Sequence, residues 1–448
     1  MKDLTSGNIY KNFILFAIPM VFAGLLSQMY ATIDTVIAGK YLGEVGLAAI
    51  GATAPLISFV SSAFWGLSSG FSIYIANLFG AKEYRLIKNT VFTGVTVFCS
   101  VIFTISLFLV IFQEPLFEFL NVDKSIVKEA SAYFTVYVLG LFLIMMNTTG
   151  LLMINSFGIG TFPFVMSVLS AVLNVSGNIF SIIVLHWGVF GVALSSVVAA
   201  GIVDVCYILK FRSCYKEMGI SGHKARFSIS SFLSSASYAL PNMIQQMIMY
   251  GAGFMVSPLV NSIGKSATAS YTVCQRVFDI NAAVYQNSSK TLANYIAQAN
   301  GGKKEHLFSK GVKVGFIQGF IFTFPFILIC ALFPEHITSL FFKDKTDTVA
   351  LVYAVQFLTY FIPLISINVV ANLFHAFFRG LGSKSPLMVS TAFGTVARIG
   401  VSYVLISKMG MTGMFIGWSA SWGADALVGL IYYVLFILKS KKEKGKLV

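Results

Sequence analysis

Residues 13–43 read FILFAIPMVFAGLLSQMYATIDTVIAGKYLG, an apolar run long enough to form a membrane-crossing helix. About 20 apolar residues cross the hydrocarbon core of a bilayer, and residues 13–38 supply them. Two residues interrupt the run. Pro19 lacks a backbone donor and predicts a kink, and Asp34 places a carboxylate near the outer end. Because a charge at mid-membrane costs roughly 2.5–3.5 kcal/mol, Asp34 is predicted to mark a functional site, with an interfacial or turn-capping role as the alternative.

The composition of the whole chain agrees with this first span. Of its 448 residues, 57% are hydrophobic and only 11% are charged, whereas soluble proteins carry about 25% charged residues. The sequence therefore predicts an all-α, multi-pass membrane protein whose surroundings are lipid. Its net charge of +14 is interpreted as cytoplasmic basic residues, so no nucleic-acid partner is expected.

Hydropathy predicts twelve spans, and the longest polar interval between them divides the chain into two sets of six. We expect an N-terminal bundle at 1–210, a cytoplasmic linker at 211–231, and a C-terminal bundle with a basic tail at 232–448. The spans are predicted near residues 13–38, 48–78, 90–112, 131–154, 161–185, 189–210, 232–257, 268–298, 312–334, 348–375, 384–407 and 412–438.

The positions of the basic residues predict the orientation. With this span assignment, 21 of the 31 Lys and Arg residues fall in segments on the side of the N-terminus, seven fall on the opposite side and three lie within spans. Basic residues accumulate on the cytoplasmic side of membrane proteins. The sequence therefore predicts an integral cell (inner) membrane protein with both termini in the cytoplasm.

The two halves of the chain repeat each other. FAIP at 16–19 matches YALP at 238–241, IANLFGAK at 75–82 matches IAQANGGK at 296–303, and WGVFG at 187–191 matches MGMTG at 409–413. An even number of spans in each repeat gives both halves the same orientation, so their symmetry axis is expected along the membrane normal, with substrate bound where the repeats meet.

Five motifs, in order, resemble the multidrug and toxic compound extrusion (MATE) family of transporters. They are LTSGNIYKNFILFAIP at 4–19, TIDTVIAGKYLG at 32–43, GLAAIGAT at 46–53, IANLFGAK at 75–82 and FFRGLGSKSP at 377–386. The resemblance implies twelve transmembrane helices in two six-helix bundles related by pseudo-two-fold symmetry. It also implies export of organic cations or amphipathic toxins by alternating access, in exchange for H⁺ or Na⁺ and without another cofactor.

The same resemblance implies a coupling-cation site in the first half, with Asp34 as its acidic residue. Its remaining candidates are polar residues of the fourth to sixth spans: Asn155, Asn174, Asn178 and Ser196. Part of the family often has an aspartate where this chain has Asn178. Carboxylates that bind sodium in another branch correspond here to Met249 and Asn368. Asp34 is thus expected to hold a proton, or Na⁺ together with neutral oxygens.

Polar and aromatic residues within the spans are candidates for lining a substrate cavity, since a membrane offers no water to satisfy polar groups. The alternative is hydrogen bonding between helices as structural support. Arg276 and Asp279 are spaced to pair on one helix surface. Asp425 repeats Asp204, which favours a structural or gating role for both. His375 is interpreted as structural, with a proton relay as the alternative. The cavity candidates are Gln28, Tyr30, Phe59, Phe64, Asn242, Gln246, Arg276, Asp279, Asn368 and Asn372.

Two other functions were weighed against antiport. A lipid-linked oligosaccharide flippase of the same architecture tends to grip pyrophosphate with several basic residues, and this chain offers Arg276, Lys290 and Arg398 within spans. An enzyme needs a cluster of His, Cys or paired acids, and the sequence shows none. No GxxxxGK[ST] loop is present, so ATP is not expected as the direct energy source. No obligate protein partner is expected.

Overall fold

The structure is a computed structural model that describes residues 1–120, 122–342 and 348–444. Within these ranges, side chains are described except at residues 30–32, 34–36, 38, 44, 119, 254 and 441–444. The regular secondary structure of the described ranges is helical throughout, without a β-strand. The prediction of an all-α, multi-pass membrane protein is confirmed.

The helices before the long polar connection follow one another with short turns. They are α1 (Ile9–Gly80), α2 (Tyr84–Ile111), α3 (Gln113–Phe119), α4 (Val127–Leu139), α5 (Leu141–Ser156), α6 (Thr161–Ile179) and α7 (Gly188–Glu217). A π-helical turn, Phe180–Val184, follows α6 directly.

The helices after the connection have a similar order. They are α8 (Ile229–Ile263), α9 (Lys265–Gly301), α10 (Phe308–Leu332), α11 (Pro334–Ser339), α12 (Thr348–Gln356), α13 (Ile365–Gly380), α14 (Lys384–Met409) and α15 (Met411–Lys444). A π-helical turn, Phe357–Phe361, and a 3₁₀ turn, Ile362–Leu364, join α12 to α13.

These helices account for the twelve predicted spans. In the described ranges, 10 helical segments are long and apolar enough to cross a membrane, and α4 with α5 forms an eleventh, bent by 46°. The first two spans, Ile9–Met29 and Val45–Gly80, are parts of α1. The predicted eighth span is α9, which has 37 residues but is rich in amides and hydroxyls.

The break between the first two spans lies at Gly43. Its φ of 67° and ψ of −165° depart from helical values inside α1, and a residue without a Cβ adopts this conformation most readily. Pro19, where the sequence predicts a kink, keeps helical dihedral angles.

The chain forms two compact units. Unit 1 comprises Met1–Asp3, Phe22–Met243 and Gly301–Lys303, and unit 2 comprises Leu4–Val21, Ile244–Asn300 and Lys304–Val448. The units thus follow packing and do not follow chain order alone, because the first residues of α1 belong to unit 2 and the first residues of α8 belong to unit 1. The division into bundles 1–210 and 232–448 stays a prediction.

Within unit 1, glycines bring two helices into backbone contact. A Cβ added at Gly66 of α1 would lie 2.6 Å from the carbonyl oxygen of Asn242 on α8, and one at Gly70 would lie 2.6 Å from the Cα of Ala239. Separations this short leave no room for any side chain. The GxxxG spacing therefore serves close helix packing.

The outer surface of the helices is apolar. On α2, the exposed fractions are 54% for Phe103, 55% for Phe108 and 71% for Ile111. Side chains of this kind on consecutive turns are suited to contact with lipid and would be unfavourable in water.

Candidate functional site

Three of the five predicted coupling residues meet in unit 1. The Nδ2 of Asn178 donates to the Oδ1 of Asn174 at 2.9 Å, and the Nδ2 of Asn174 donates to the Oγ of Ser196 at 2.7 Å. Both asparagines are almost fully buried. They are four residues apart on α6 and therefore share one helix face, while Ser196 comes from α7. We call this group the amide ladder.

Small residues allow α6 and α7 to approach closely enough for the ladder to form. A Cβ added at Gly177 would lie 3.0 Å from the Oγ of Ser195, and one at Gly191 would lie 2.6 Å from the Cβ of Ser181. Larger residues at these glycines would separate the helices and lengthen the bond between Asn174 and Ser196.

The ladder ends where the helix changes its winding. The π-helical turn Phe180–Val184 begins two residues after Asn178. Turns of this type inside α-helices are frequent at functional sites. Here the turn lies next to residues that offer amide and hydroxyl oxygens. Such oxygens are ligands suited to a hard cation such as Na⁺.

Asp34 and Tyr30 lie outside the residues whose side chains are described. The backbone of α1 around residue 34 is helical, and Ile37, three residues later, is buried against Ile182 and Val192, with Val175 packed on the same cluster. Val175 is the neighbour of Asn174. One turn of α1 next to Asp34 therefore packs on the two elements that carry the amide ladder.

Asn155 lies apart from the ladder. It is 1% exposed near the end of α5, and neither its Oδ1 nor its Nδ2 has a hydrogen-bond partner among the described residues. The structure thus buries this predicted residue without a hydrogen bond to Asn174, Asn178 or Ser196.

The predicted cavity residues of unit 1 have different surroundings. Phe64 is 3% exposed and packs with Ile102, Leu141 and Met145 in an apolar cluster, which is a core environment. Asn242 donates from Nδ2 to the carbonyl of Tyr238 at 2.8 Å, while its Oδ1 is buried without a partner among the described residues. Gln28 and Phe59 are half-buried.

Unit 2 holds the remaining cavity candidates. The Nδ2 of Asn368 donates to the hydroxyl of Tyr285 at 2.8 Å, and the Nδ2 of Asn372 donates to the Oδ1 of Asn368 at 3.2 Å. Two predicted residues are thus brought together on α13 and linked to α9. Gln246 is half-buried on α8.

Arg276 and Asp279 differ in their surroundings. The carboxylate of Asp279 accepts a hydrogen bond from the Nε2 of Gln275 at 2.9 Å. Arg276 is exposed. The neighbour that binds Asp279 directly is thus an amide four residues before it, which the sequence reading did not single out.

The sequence reading also missed a buried polar network in unit 2. His375 of α13 contacts Asp425 of α15 and Ser390 of α14, each at 2.9 Å from its Nε2, and its Nδ1 lies 3.1 Å from the Nε2 of Gln245 on α8. Gln245 also binds Arg379 at 3.1 Å. The sequence contained one indication that Gln245 is a site residue, because it lies three positions after Asn242 and shares its helix face.

The basic residues within the spans do not gather at one place. Arg276 and Lys290 are 14 residues apart on α9, a rise of about 21 Å in an α-helix. The guanidinium of Arg398 lies over the ring of Trp418, 5.0 Å from its centroid, whereas the ammonium of Lys290 donates to the Oδ1 of Asn287 at 2.8 Å. This spacing does not suit a common grip on one pyrophosphate.

A family model named MatE matches the chain at residues 19–180 and again at 241–404. The chain belongs to the MatE family. The two matches begin 222 positions apart, in agreement with the internal repeat, and they establish the MATE protein as a membrane transporter and not an enzyme.

Related proteins cover the MATE chain over nearly its whole length. A probable multidrug resistance protein, YoeA of Bacillus subtilis (strain 168), is 22% identical over 97% of this chain and 95% of its own. The multidrug export protein MepA of Staphylococcus haemolyticus (strain JCSC1435) is 22% identical over 100% of this chain and 98% of its own.

The fold is shared with solved MATE structures. One is described as the outward-facing conformation of a multidrug resistance MATE family transporter of the MOP superfamily. It superposes with a TM-score of 0.89 at 20% identity, covering 99% of each chain. This likeness confirms the twelve-helix MATE-like fold.

Proposed function

We propose that this MATE protein is a secondary multidrug efflux antiporter that exports organic cations or amphipathic toxins in exchange for H⁺ or Na⁺. The full-length relatives whose names describe multidrug resistance and multidrug export support the substrate class. The bias of basic residues supports a location in the cell membrane with both termini in the cytoplasm.

The observation that carries the coupling proposal is the buried amide ladder beside α1. Ile37 packs on α6 and α7 next to Asn174, and Asp34 lies one turn earlier on α1. A carboxylate placed near the ladder has neutral oxygens as neighbours. A proton or Na⁺ arriving from outside neutralises it, and substrate then dissociates.

This proposal predicts that Asp34→Asn abolishes gradient-driven export. Purified protein is reconstituted into liposomes, and the liposomes are loaded with a fluorescent organic cation. An inward-directed Na⁺ gradient or H⁺ gradient is then imposed alone. We expect wild-type transport to follow one of the gradients and the variant to show only passive leak. The asparagine side chain cannot take up and release a proton, and it has no negative charge to attract Na⁺.

A matched control keeps the test specific. Glu335→Gln removes an exposed carboxylate outside the spans and is expected to transport at the wild-type rate. Wild-type export by Asp34→Asn against the same gradient removes Asp34 from the mechanism. Absence of cation movement in the wild-type protein under both gradients removes antiport of this substrate class.

A further inference from the structure

Hydrogen bonds in unit 2 connect four helices through His375. The Nε2 of His375 lies 2.9 Å from the Oδ1 of Asp425 and 2.9 Å from the Oγ of Ser390, and its Nδ1 lies 3.1 Å from the Nε2 of Gln245. Gln245 in turn binds the hydroxyl of Thr391 at 3.0 Å and a guanidinium nitrogen of Arg379 at 3.1 Å. The imidazole of His375 is almost fully buried.

The direction of these bonds fixes the position of the imidazole proton. A guanidinium only donates, so the oxygen of Gln245 must face Arg379 and its NH₂ group must face His375. The Nδ1 of His375 therefore accepts and carries no proton. The single proton of a neutral imidazole is then on Nε2, where it donates to the Asp425 carboxylate.

We propose that His375 and Asp425 form a proton-binding site in unit 2, and that loading it breaks the link between Gln245 and Arg379. A proton from water adds to the Nδ1 lone pair and leaves an imidazolium beside the Asp425 carboxylate. Nδ1–H then faces the NH₂ group of Gln245, and two donors oppose each other. The amide relieves this by turning its oxygen to Nδ1, which turns its NH₂ group toward Arg379, another donor.

The charges around the site come from three helices. Asp425 of α15 contacts His375 directly, and Arg379 of α13 is connected to it through Gln245. Lys290 of α9 interacts electrostatically with Arg379. Because Gln245, Arg379 and Thr391 lie on α8, α13 and α14, the turn of one amide alters the contacts of three helices.

The repeat argues against a purely structural role for the pair. Asp425 corresponds to Asp204, but the positions that correspond to His375 are occupied by Met153 and Ile154. A shared structural requirement would be met in both halves. The titratable partner is present in the second half alone. This inference deepens the proposed antiport function and rests on it.

The first experiment measures the dependence of drug export on pH, from about pH 5 to 8, where imidazoles change charge. Transport is driven in proteoliposomes by a fixed membrane potential. His375→Gln keeps an NH₂ group that can donate to Asp425 but cannot take a proton. We expect it to flatten the pH profile of export. His306→Gln, a change at an exposed histidine just before α10, is expected to leave the profile unchanged.

The second experiment observes the imidazole without transport. In protein labelled with ¹⁵N-histidine, the signal absent from His375→Gln belongs to His375. We expect it to report a proton on Nε2 alone at high pH and on both nitrogens at low pH. Gln245→Glu places a carboxylate opposite Nδ1 and is expected to keep both nitrogens protonated to higher pH, since a nearby negative charge favours the charged form.

The outcomes separate this site from the function on which it rests. A His375 signal that does not change between pH 5 and 8 overturns the proton site, as does a wild-type pH profile in a monodisperse His375→Gln protein. If His375→Gln does not purify in a folded form, the ¹⁵N signal of His375 is assigned with His375→Asn. The change in its pH dependence is then measured with Gln245→Glu. Wild-type protein that moves no drug refutes antiport, while the ¹⁵N titration still decides whether His375 binds a proton.

Discussion

Asn174 occupies the centre of the amide ladder, since it accepts from Asn178 and donates to Ser196. Asn178 bonds to the amide oxygen of Asn174, and Ser196 bonds to its amide nitrogen. Removing Asn174 therefore deletes both hydrogen bonds, and a typical hydrogen bond within a protein contributes about 0.5–1.5 kcal/mol.

We predict that Asn174→Leu abolishes ion-driven export, because it removes the amide oxygen proposed as a cation ligand and the hydrogen bond that joins α6 to α7. The melting temperature in detergent is expected to fall as well. Gradient-driven uptake of a fluorescent cation into inside-out vesicles measures the first effect, and a thermal shift assay measures the second.

Ser196→Thr is the matched control, because it keeps the hydroxyl that accepts from Asn174. It is expected to transport close to the wild-type rate. Equal export by Asn174→Leu and the wild-type protein would contradict a role for the ladder in ion coupling.

Sequence reasoning named the three ladder residues together with Asn155 and Asp34, but it did not find the network around His375. The family resemblance supplied all five residues, and the spacing of Asn174 and Asn178 placed these two on one helix face. Gln245, Arg379 and Asp425 lie on three different helices, and no spacing along the chain shows that they meet. Phe64 was expected near substrate because it is aromatic, and it packs in an apolar cluster that only tertiary contacts define.

At the scale of the helix, the contact between α1 and α8 depends on the absence of side chains at two positions. Gly66 and Gly70 lie one turn apart on α1 and face the backbone of α8. The spacing was readable in the sequence, but many membrane helices have it. The sequence did not show which helix packs against these two glycines.

We predict that Gly70→Ala destabilises the protein by about 1–3 kcal/mol, the usual range for overpacking. The new Cβ would lie 2.6 Å from the Cα of Ala239, so α1 and α8 must separate. Thermal unfolding in detergent measures the effect.

Gly51→Ala is the control on the same helix. Nothing lies within 4 Å of a Cβ at this position, and alanine is the better helix former, so stability is expected to be unchanged or slightly higher. A Gly70→Ala protein as stable as Gly51→Ala would show that the helices separate without cost.

At the scale of the whole molecule, hydropathy predicted twelve helices in two repeated halves, and the resemblance of five ordered motifs to MATE transporters predicted the family. The membership of the two units was not predictable from the span order. Residues 4–21 belong to unit 2, although they lie near the start of the chain, because membership depends on packing between distant segments.

The proposed orientation, with both termini in the cytoplasm, predicts opposite accessibility for two connections between spans. In a background without the five native cysteines, Ser125→Cys is expected to react with a membrane-impermeant maleimide added to intact cells, and Ser221→Cys is expected to react only after the membrane is opened. Labelling followed by mass spectrometry measures both. The reverse pattern would place the termini outside the cell.

Helix α9 has a consequence for the synthesis of this protein. It is 37 residues long, yet it is not among the segments apolar enough to cross a membrane by themselves. Two of its hydroxyls bond to later helices, Ser288 to Gln318 of α10 and Tyr285 to Asn368 of α13. A nascent chain that ends at Gly301 lacks α13, which supplies the partner of Tyr285. Stable insertion of α9 therefore has to wait until the ribosome has synthesised the helices that follow it. The last third of the chain supplies the contacts that stabilise α9 in the membrane.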